Sequence, residues 1–177
     1  MPFTPFHLGP ALGFGLPLRK YLHAPTFIVA NVAVDIEPLI VLILGANYPL
    51  HGYLHTFLAA FFFGIAIGFT MFCLEKYLYP LYKTLLLMPN SPLKLKSFLA
   101  AGAFGAMLHV LFDSPLYTEI HPFFPATANL LYATASSTAV YDCCVWLGIF
   151  GIIFYASLLL LHAYRKLRKP PLQSTPK

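Results

Sequence analysis

Charged residues are scarce in this sequence. Lys, Arg, Asp and Glu together make up 10% of the 177 residues, whereas a soluble domain usually carries about a quarter. Hydrophobic residues make up 59%, and the mean hydropathy is +0.73. The lack of charge excludes an ordinary soluble domain and predicts an integral membrane protein that contacts lipid.

Two further features that would point to other classes of protein are missing. The formal net charge is +5, but Lys and Arg are not gathered into the single basic footprint of a nucleic-acid-binding domain. They flank apolar runs instead, so no nucleic-acid partner is expected. The cysteines Cys73, Cys143 and Cys144 show no CxxC or Cys/His metal spacing and are interpreted as packing residues.

Apolar runs long enough to cross a membrane are what the sequence does contain. A hydrocarbon core of about 30 Å takes roughly 20 helical residues. A shorter helix from about Pro5 to Leu16 is also expected within the membrane, since Thr4 and Pro5 resemble an N-cap with proline at the first helical position. We therefore predict an all-α, polytopic membrane bundle with this short N-terminal helix and four long transmembrane helices at about 25–45, 54–73, 97–117 and 143–163.

The intervening segments divide the chain without suggesting a second domain. Residues 74–96 alternate apolar residues with Lys and Pro, which favours an interfacial segment. Residues 118–142 are rich in Pro, Ala, Ser and Thr and are expected to form a loop. We predict one membrane domain over 1–169 and a basic, proline-rich cytoplasmic tail over 170–177.

The distribution of positive charge predicts the orientation. All eleven Lys and Arg residues fall on one side of the predicted spans, and such residues mark the cytoplasmic side. The protein is expected in the inner, cell membrane with a cytoplasmic C-terminus and outer loops at 46–53 and 118–142. The short N-terminal helix would put the N-terminus outside, and a re-entrant hairpin from the cytoplasm is the alternative.

Polar residues inside the apolar spans indicate a site. Asp35, Glu37 and Asp113 lie within predicted spans, and burying a carboxylate in a membrane costs at least about 2.5 kcal/mol by insertion scales. Side chains four residues apart share a helix face, which describes His109 with Asp113 and would describe His51 with His55. Both pairs, together with the loop residue His121, are predicted to lie toward the outer side as metal ligands.

Asp35 can join these ligands from the first span, but Glu37 cannot share its face in a regular helix because two residues rotate it by about 200°. Pro38 is expected to kink the helix here. Asp35 is therefore predicted to be a metal ligand. Glu37 is predicted to be either the catalytic general base or a partner that supports a ligand.

These motifs resemble the membrane-bound metal-dependent hydrolases, a family of inner-membrane hydrolases that includes a LexA-associated type. The likeness runs from about His7 to Pro125 through FHLG, DIE, HGYLHT, HVLFD and IHPF. The family pattern usually has Pro-Asp-x-Asp and His-Arg-x-x-Thr-His-Ser, whereas this chain has Val34 and Glu37 in the first motif and Gly52 and Thr56 in the second. The resemblance implies metal ligation by six residues: His7, Asp35, His51, His55, His109 and Asp113.

The expected function is metal-dependent hydrolysis. Imidazole and carboxylate ligands favour zinc, with manganese or iron as alternatives, and the number of candidates allows one or two ions. Metal-activated water would attack an ester, phosphoester or amide bond, with Glu37 or a spare histidine moving the proton. The outer side lacks Lys and Arg, which favours a lipid or other amphiphilic substrate. An ion- or proton-coupled transporter and a non-catalytic membrane scaffold are the alternatives.

Overall fold

Helices account for nearly all the regular structure of the protein. The computed structural model describes residues 5–88, 93–132 and 137–168. Thr4, which was predicted to cap the first helix, and the tail at 170–177 lie outside these residues. The α-helices are α1 (Leu8–Gly15), α2 (Ala24–Ala33), α3 (Ile36–Leu44), α4 (Phe57–Thr84), α5 (Leu95–Asp113) and α6 (Ser137–Leu167). Short 3-10 helices cover Pro5–His7, Pro17–Lys20 and Tyr53–His55.

The predicted all-α architecture is confirmed, with a short N-terminal helix and four long apolar helical segments. By length and composition, Ala24–Leu44, Phe57–Thr84, Leu95–Asp113 and Ser137–Leu167 could each cross a membrane. Many of their large apolar side chains are exposed, including Phe62 on α4 and Ile152 and Leu160 on α6. An aqueous surface would not tolerate so much exposed apolar area, whereas lipid would.

The bounds of the later spans differ from the prediction: α5 ends at Asp113 rather than near 117, and α6 begins at Ser137 rather than near 143. The second span does not end near residue 73 but continues as α4 through Pro80 to Thr84, so much of the segment predicted as interfacial is helix. Lys76 and Lys83 are compatible with that continuation, because their long stems can lie along apolar surface while the ammonium groups reach water.

The first long span is broken into two helices beside its buried carboxylate. Helix α2 ends at Ala33, and α3 begins at Ile36 with Asp35 at its N-cap position. Pro38 lies in the first turn of α3, where its missing N–H breaks no helical hydrogen bond. The bend expected at this proline is therefore located just before it, at Val34 and Asp35.

Close backbone contacts through glycine hold the bundle together. An added Cβ at Gly64 would lie 2.3 Å from the Gly102 carbonyl oxygen, and one at Gly68 would lie 2.5 Å from the Phe98 oxygen. These contacts pair α4 with α5 in antiparallel directions. Gly105 approaches Phe27 in the same way. The hydrogen bonds from His23 N–H to the Ser97 oxygen and from Asn31 Nδ2 to the Gly105 oxygen show that α2 runs parallel to α5. Small residues thus allow α2, α4 and α5 to approach at backbone distance.

Helix α1 packs against α6 rather than against the α4 and α5 pair. A Cβ at Gly9 would lie 2.0 Å from the Cys144 oxygen, and one at Gly13 would lie 2.8 Å from the Leu147 oxygen. Both helices run in the same direction, so Arg19, after α1, lies near the last turns of α6. The described basic residues all lie near the helix ends at this end of the bundle, called the basic end below: Arg19, Lys20, Lys76, Lys83, Lys94, Lys96, Arg165, Lys166 and Arg168.

Substituting Gly102 by alanine should destabilise the bundle. The new Cβ would lie 2.0 Å from the Gly64 carbonyl oxygen, so α4 and α5 would have to separate, at a cost of about 1–3 kcal/mol. Thermal unfolding in detergent measures this. Gly148→Ala is the matched control, because its nearest neighbour, at 3.3 Å, requires only a slight adjustment. Equal unfolding midpoints for the two variants would contradict this account of the packing.

Candidate metal centre

Four buried side chains from separate parts of the chain meet at one point. Asp35, His55, His109 and Asp113 each offer one ligand atom, and these atoms all lie within 4.8 Å of one another. The most exposed of the four, Asp35, has only 5% of its surface accessible. They are called the four-residue cluster below, and together they could hold a metal ion.

Three elements bring the cluster together. His109 and Asp113 lie one turn apart on α5, and His109 Nε2 is 3.3 Å from Asp113 Oδ2. Asp35 lies at the break between α2 and α3, and its Oδ1 is 3.4 Å from the same His109 nitrogen. His55 comes from the 3-10 helix before α4, and its Nε2 is 3.7 Å from Asp113 Oδ2.

The predicted pairing of His109 with Asp113 on one helix face is therefore confirmed, whereas the helical pairing of His51 with His55 is wrong. His51 and His55 precede α4, which begins only at Phe57. The loop after α3 enters the bundle, and His55 is fully buried there.

The donor atoms of the cluster fit a cation. His55 Nε2 and His109 Nε2 are buried without a well-formed hydrogen bond to any described residue. A buried polar atom without a partner is costly, and two adjacent carboxylates repel each other unless a positive charge lies between them. A divalent ion would balance the charges of Asp35 and Asp113 while both imidazoles stay neutral.

Glu37 lies behind His55 and holds its ring. Glu37 Oε2 accepts a hydrogen bond from the Gly52 backbone N–H at 3.0 Å and lies 3.0 Å from His55 Nδ1. The Leu54 N–H also donates to this carboxylate. With Nδ1 engaged by Glu37, Nε2 of His55 is the nitrogen left to face the cluster. Burial lowers the pKa of His55, although the Glu37 contact opposes that shift, and the neutral ring is the form that ligates metal.

His7 borders the cluster from the start of the chain. It is buried, its Nε2 lies 2.8 Å from Asp113 Oδ1, and its ring stacks on His109 with centroids 4.0 Å apart. His7 is not among the four mutually close donors. Its position next to Asp113 means that the 3-10 helix before α1 contributes to the surroundings of the cluster.

His51 and His121, both predicted as ligands, lie outside the four-residue cluster. His51 is buried, its ring centroid lies 4.7 Å from that of His55, and its Nδ1 is 2.9 Å from Glu119 Oε1. His51, Glu119 and His121 line a cavity of about 360 Å³. His51 therefore separates this cavity from the cluster. The sequence did not single out Glu119, because nothing near it in the chain indicates its distant partner.

A second buried polar contact lies at the basic end. His23 is fully buried, with Nδ1 2.7 Å from the Thr26 hydroxyl and Nε2 3.2 Å from Glu75 Oε2. Its ring stacks on Phe98, and burial lowers its pKa to about 4. His23 therefore fastens the start of α2 to α4 and α5.

Comparison of the chain with protein-family models, with curated proteins and with solved structures finds no match. The geometry itself defines the class: a protein with four helices apolar enough to span a membrane and a buried His/Asp group that could bind a metal ion.

Replacing Glu37 by glutamine should weaken metal binding without removing a cluster residue. Glutamine keeps the size of the side chain but loses the charge that orients His55, and loss of such a supporting contact typically lowers metal affinity about 10- to 100-fold. Zinc titration of the metal-stripped protein measures this. Glu119→Gln is the matched control, since Glu119 contacts His51 rather than a cluster residue. Unchanged affinity in Glu37→Gln would contradict the supporting role.

Proposed function

We propose that the protein is a membrane-bound metal-dependent hydrolase with its metal held by Asp35, His55, His109 and Asp113. The observation that carries the proposal is the meeting of these four buried donors within 4.8 Å of one another. The order of the sequence motifs, which resembles that of the membrane-bound metal-dependent hydrolases, supports the same reading.

The donor set favours zinc. Two imidazoles and two carboxylates without a thiolate suit zinc, and also manganese or iron. One divalent ion would balance the two negative charges of Asp35 and Asp113. A second ion would need ligands from the neighbouring histidines His7, His51 and His121, of which only His7 contacts a cluster carboxylate at hydrogen-bonding distance.

Catalysis requires an open coordination position, because a catalytic zinc usually has three protein ligands and a water whereas a structural zinc has four. Asp113 is the residue best placed to leave a position open, since His7 already lies 2.8 Å from its Oδ1. In the proposed arrangement Asp35, His55 and His109 would hold the ion throughout. Asp113, which also contacts His7, would be the fourth ligand and the one that gives way to water.

Proton transfer is the task of the residues around the ion. When bound here, a divalent ion would act as a Lewis acid that activates water. Glu37 was predicted as a candidate general base, but its carboxylate already accepts backbone hydrogen bonds and contacts His55, which supports a positioning role. His51, between the cluster and the 360 Å³ cavity, is the spare histidine that we assign to moving the proton.

The surface near the site suits an amphiphilic substrate, with an ester, phosphoester or amide bond at the cleavage point. The cavity beside His51 shares Phe124 with an apolar groove. That groove shares Phe57 and Met107 with a larger apolar groove of about 480 Å³ on the α2 and α5 side. A lipid could therefore lie with its chains along these grooves and its polar part at the mouth of the site.

An ion- or proton-coupled transporter is the second candidate, and one observation favours it. His23, at the N-cap of α2, and Thr26 and Asn31 on α2 are buried polar residues of the helix that ends just before Asp35. Asn31 Oδ1 has no hydrogen-bond partner among the described residues. A proton path from the cluster to the basic end would use such groups. Against it, Asn31 Nδ2 already donates to the Gly105 oxygen, which fits a contact between helices.

Purified protein should retain about one divalent ion per chain, as expected for a single four-donor site. His109→Ala and Asp113→Ala should each lose most of the metal, together with any hydrolysis found by screening ester, phosphoester and lipid substrates. His162→Ala and Asp142→Ala are matched controls, because both residues are exposed and neither belongs to the four-residue cluster. Metal analysis by mass spectrometry and product release are the measurements.

Three outcomes of that experiment would count against the proposal in different ways. Unchanged metal content in both cluster variants would show that the cluster is not the metal site. If the cluster variants lose the metal but the wild type hydrolyses none of the substrates, the result would support a structural metal in a non-catalytic scaffold. Metal-dependent ion or proton flux in proteoliposomes, abolished by Asn31→Leu, would support the transporter.

The proposed location is the inner membrane, with the basic end and the C-terminus in the cytoplasm and the metal centre toward the other side. A cysteine replacing the exposed Glu119, in a chain without its native cysteines, should react with a membrane-impermeant maleimide added outside intact cells or spheroplasts. A cysteine replacing Lys83 should react only after lysis. The opposite labelling pattern would reverse the orientation.

A further inference from the structure

A second polar cavity lies at the basic end, remote from the metal centre. Its volume is about 440 Å³, and it is bordered by the turn after α1, the chain that follows α4 and the last turns of α6. Four basic side chains line it: Arg19, Lys20, His162 and Arg165. No acidic residue lies among the described residues that line it.

The charge of this cavity is not balanced by any acidic side chain among the described residues. Glu75, the acidic residue of the basic end, lies 3.2 Å from His23 and does not line the cavity. The other described acidic residues belong to the metal-centre end: Asp35, Glu37, Asp113, Glu119 and Asp142. Three permanent positive charges around one cavity attract an anion from outside the chain.

Arg19 is positioned for such an anion. It is half-buried, and its Nη1 donates to the Leu86 carbonyl oxygen. This contact fixes the guanidinium at the wall of the cavity. An arginine carries five N–H donors in a planar fork, so donors remain for a phosphate, which this fork fits well.

The remaining wall of the cavity is apolar and belongs to α6. Phe154, Leu158 and Leu161 all line it, and their spacing places them on one face of the helix. A small soluble anion would gain no favourable contact from this apolar wall. A phospholipid would use both parts, with its phosphate among the basic residues and an acyl chain along the apolar face.

We propose that this cavity is a binding site for the headgroup of an anionic phospholipid. Basic pockets between helices at a cytoplasmic membrane surface bind such headgroups through their phosphates. The site is separate from the metal centre and does not depend on the proposed hydrolase activity. Its role would be to hold the end of α6 against the turn after α1, since α6 is otherwise little buried within the protein.

Native mass spectrometry of the detergent-purified, full-length protein with added lipid tests the site. The probe is phosphatidylglycerol, compared with zwitterionic phosphatidylcholine. The wild type should retain phosphatidylglycerol preferentially, and the triple variant Arg19→Gln, Lys20→Gln, Arg165→Gln should bind it at least about tenfold more weakly. The matched control is Lys76→Gln, Lys83→Gln, Lys96→Gln, which removes equal charge from the basic end outside the cavity.

Equal weakening in both triple variants would overturn the proposal, because it would show a general electrostatic attraction. Competition by glycerol 1-phosphate at the same concentration as the lipid would also overturn it, in favour of a soluble phosphate ligand. If the triple variant does not fold, the single variant Lys20→Gln takes its place in the test. Lys20 is exposed, so this substitution should not disturb folding. Undiminished phosphatidylglycerol binding in that single variant, with the triple variant unfolded, would count against the site.

Discussion

The neutralisation of two carboxylates inside an apolar bundle is the constraint on which the rest of this structure depends. Asp35 and Asp113 are almost fully buried and converge on the same point. An uncompensated ion in such a place costs several kcal/mol. The two imidazoles of the cluster provide donors, but while they are neutral they provide no charge. A bound cation would resolve both problems together, and the cluster could hold one.

The bundle contains the features needed to bring these groups together. Glycine contacts such as Gly64 against Gly102 and Gly105 against Phe27 bring the backbones of α2, α4 and α5 together, so that short side chains such as aspartate can meet. The break between α2 and α3 places Asp35 at the N-cap of α3 rather than inside a regular helix. Glu37 then holds both the loop backbone and His55. Charge at the other end is of opposite sign, which is consistent with an ion at one surface and lipid phosphates at the other.

Hydropathy and local spacing were sufficient to predict some of these features. Long apolar runs predicted the four spans, because the hydrophobic effect acts on composition alone, and the His109 and Asp113 pair followed from helix periodicity. The same periodicity gave a wrong prediction for His51 and His55, because two histidines four positions apart can also occur in a loop. The partners of Glu37, His23 and His51 lie 18, 52 and 68 positions away along the chain. Such pairings depend on tertiary packing and leave no local signal.

X-ray absorption spectroscopy of the zinc-loaded protein is the most direct measurement of the central claim. The account predicts a first shell of nitrogen and oxygen only, with the outer-shell scattering of two imidazoles, and loss of one imidazole in His109→Ala. A shell containing sulfur, a spectrum of hydrated zinc, or an unchanged spectrum in His109→Ala would contradict it.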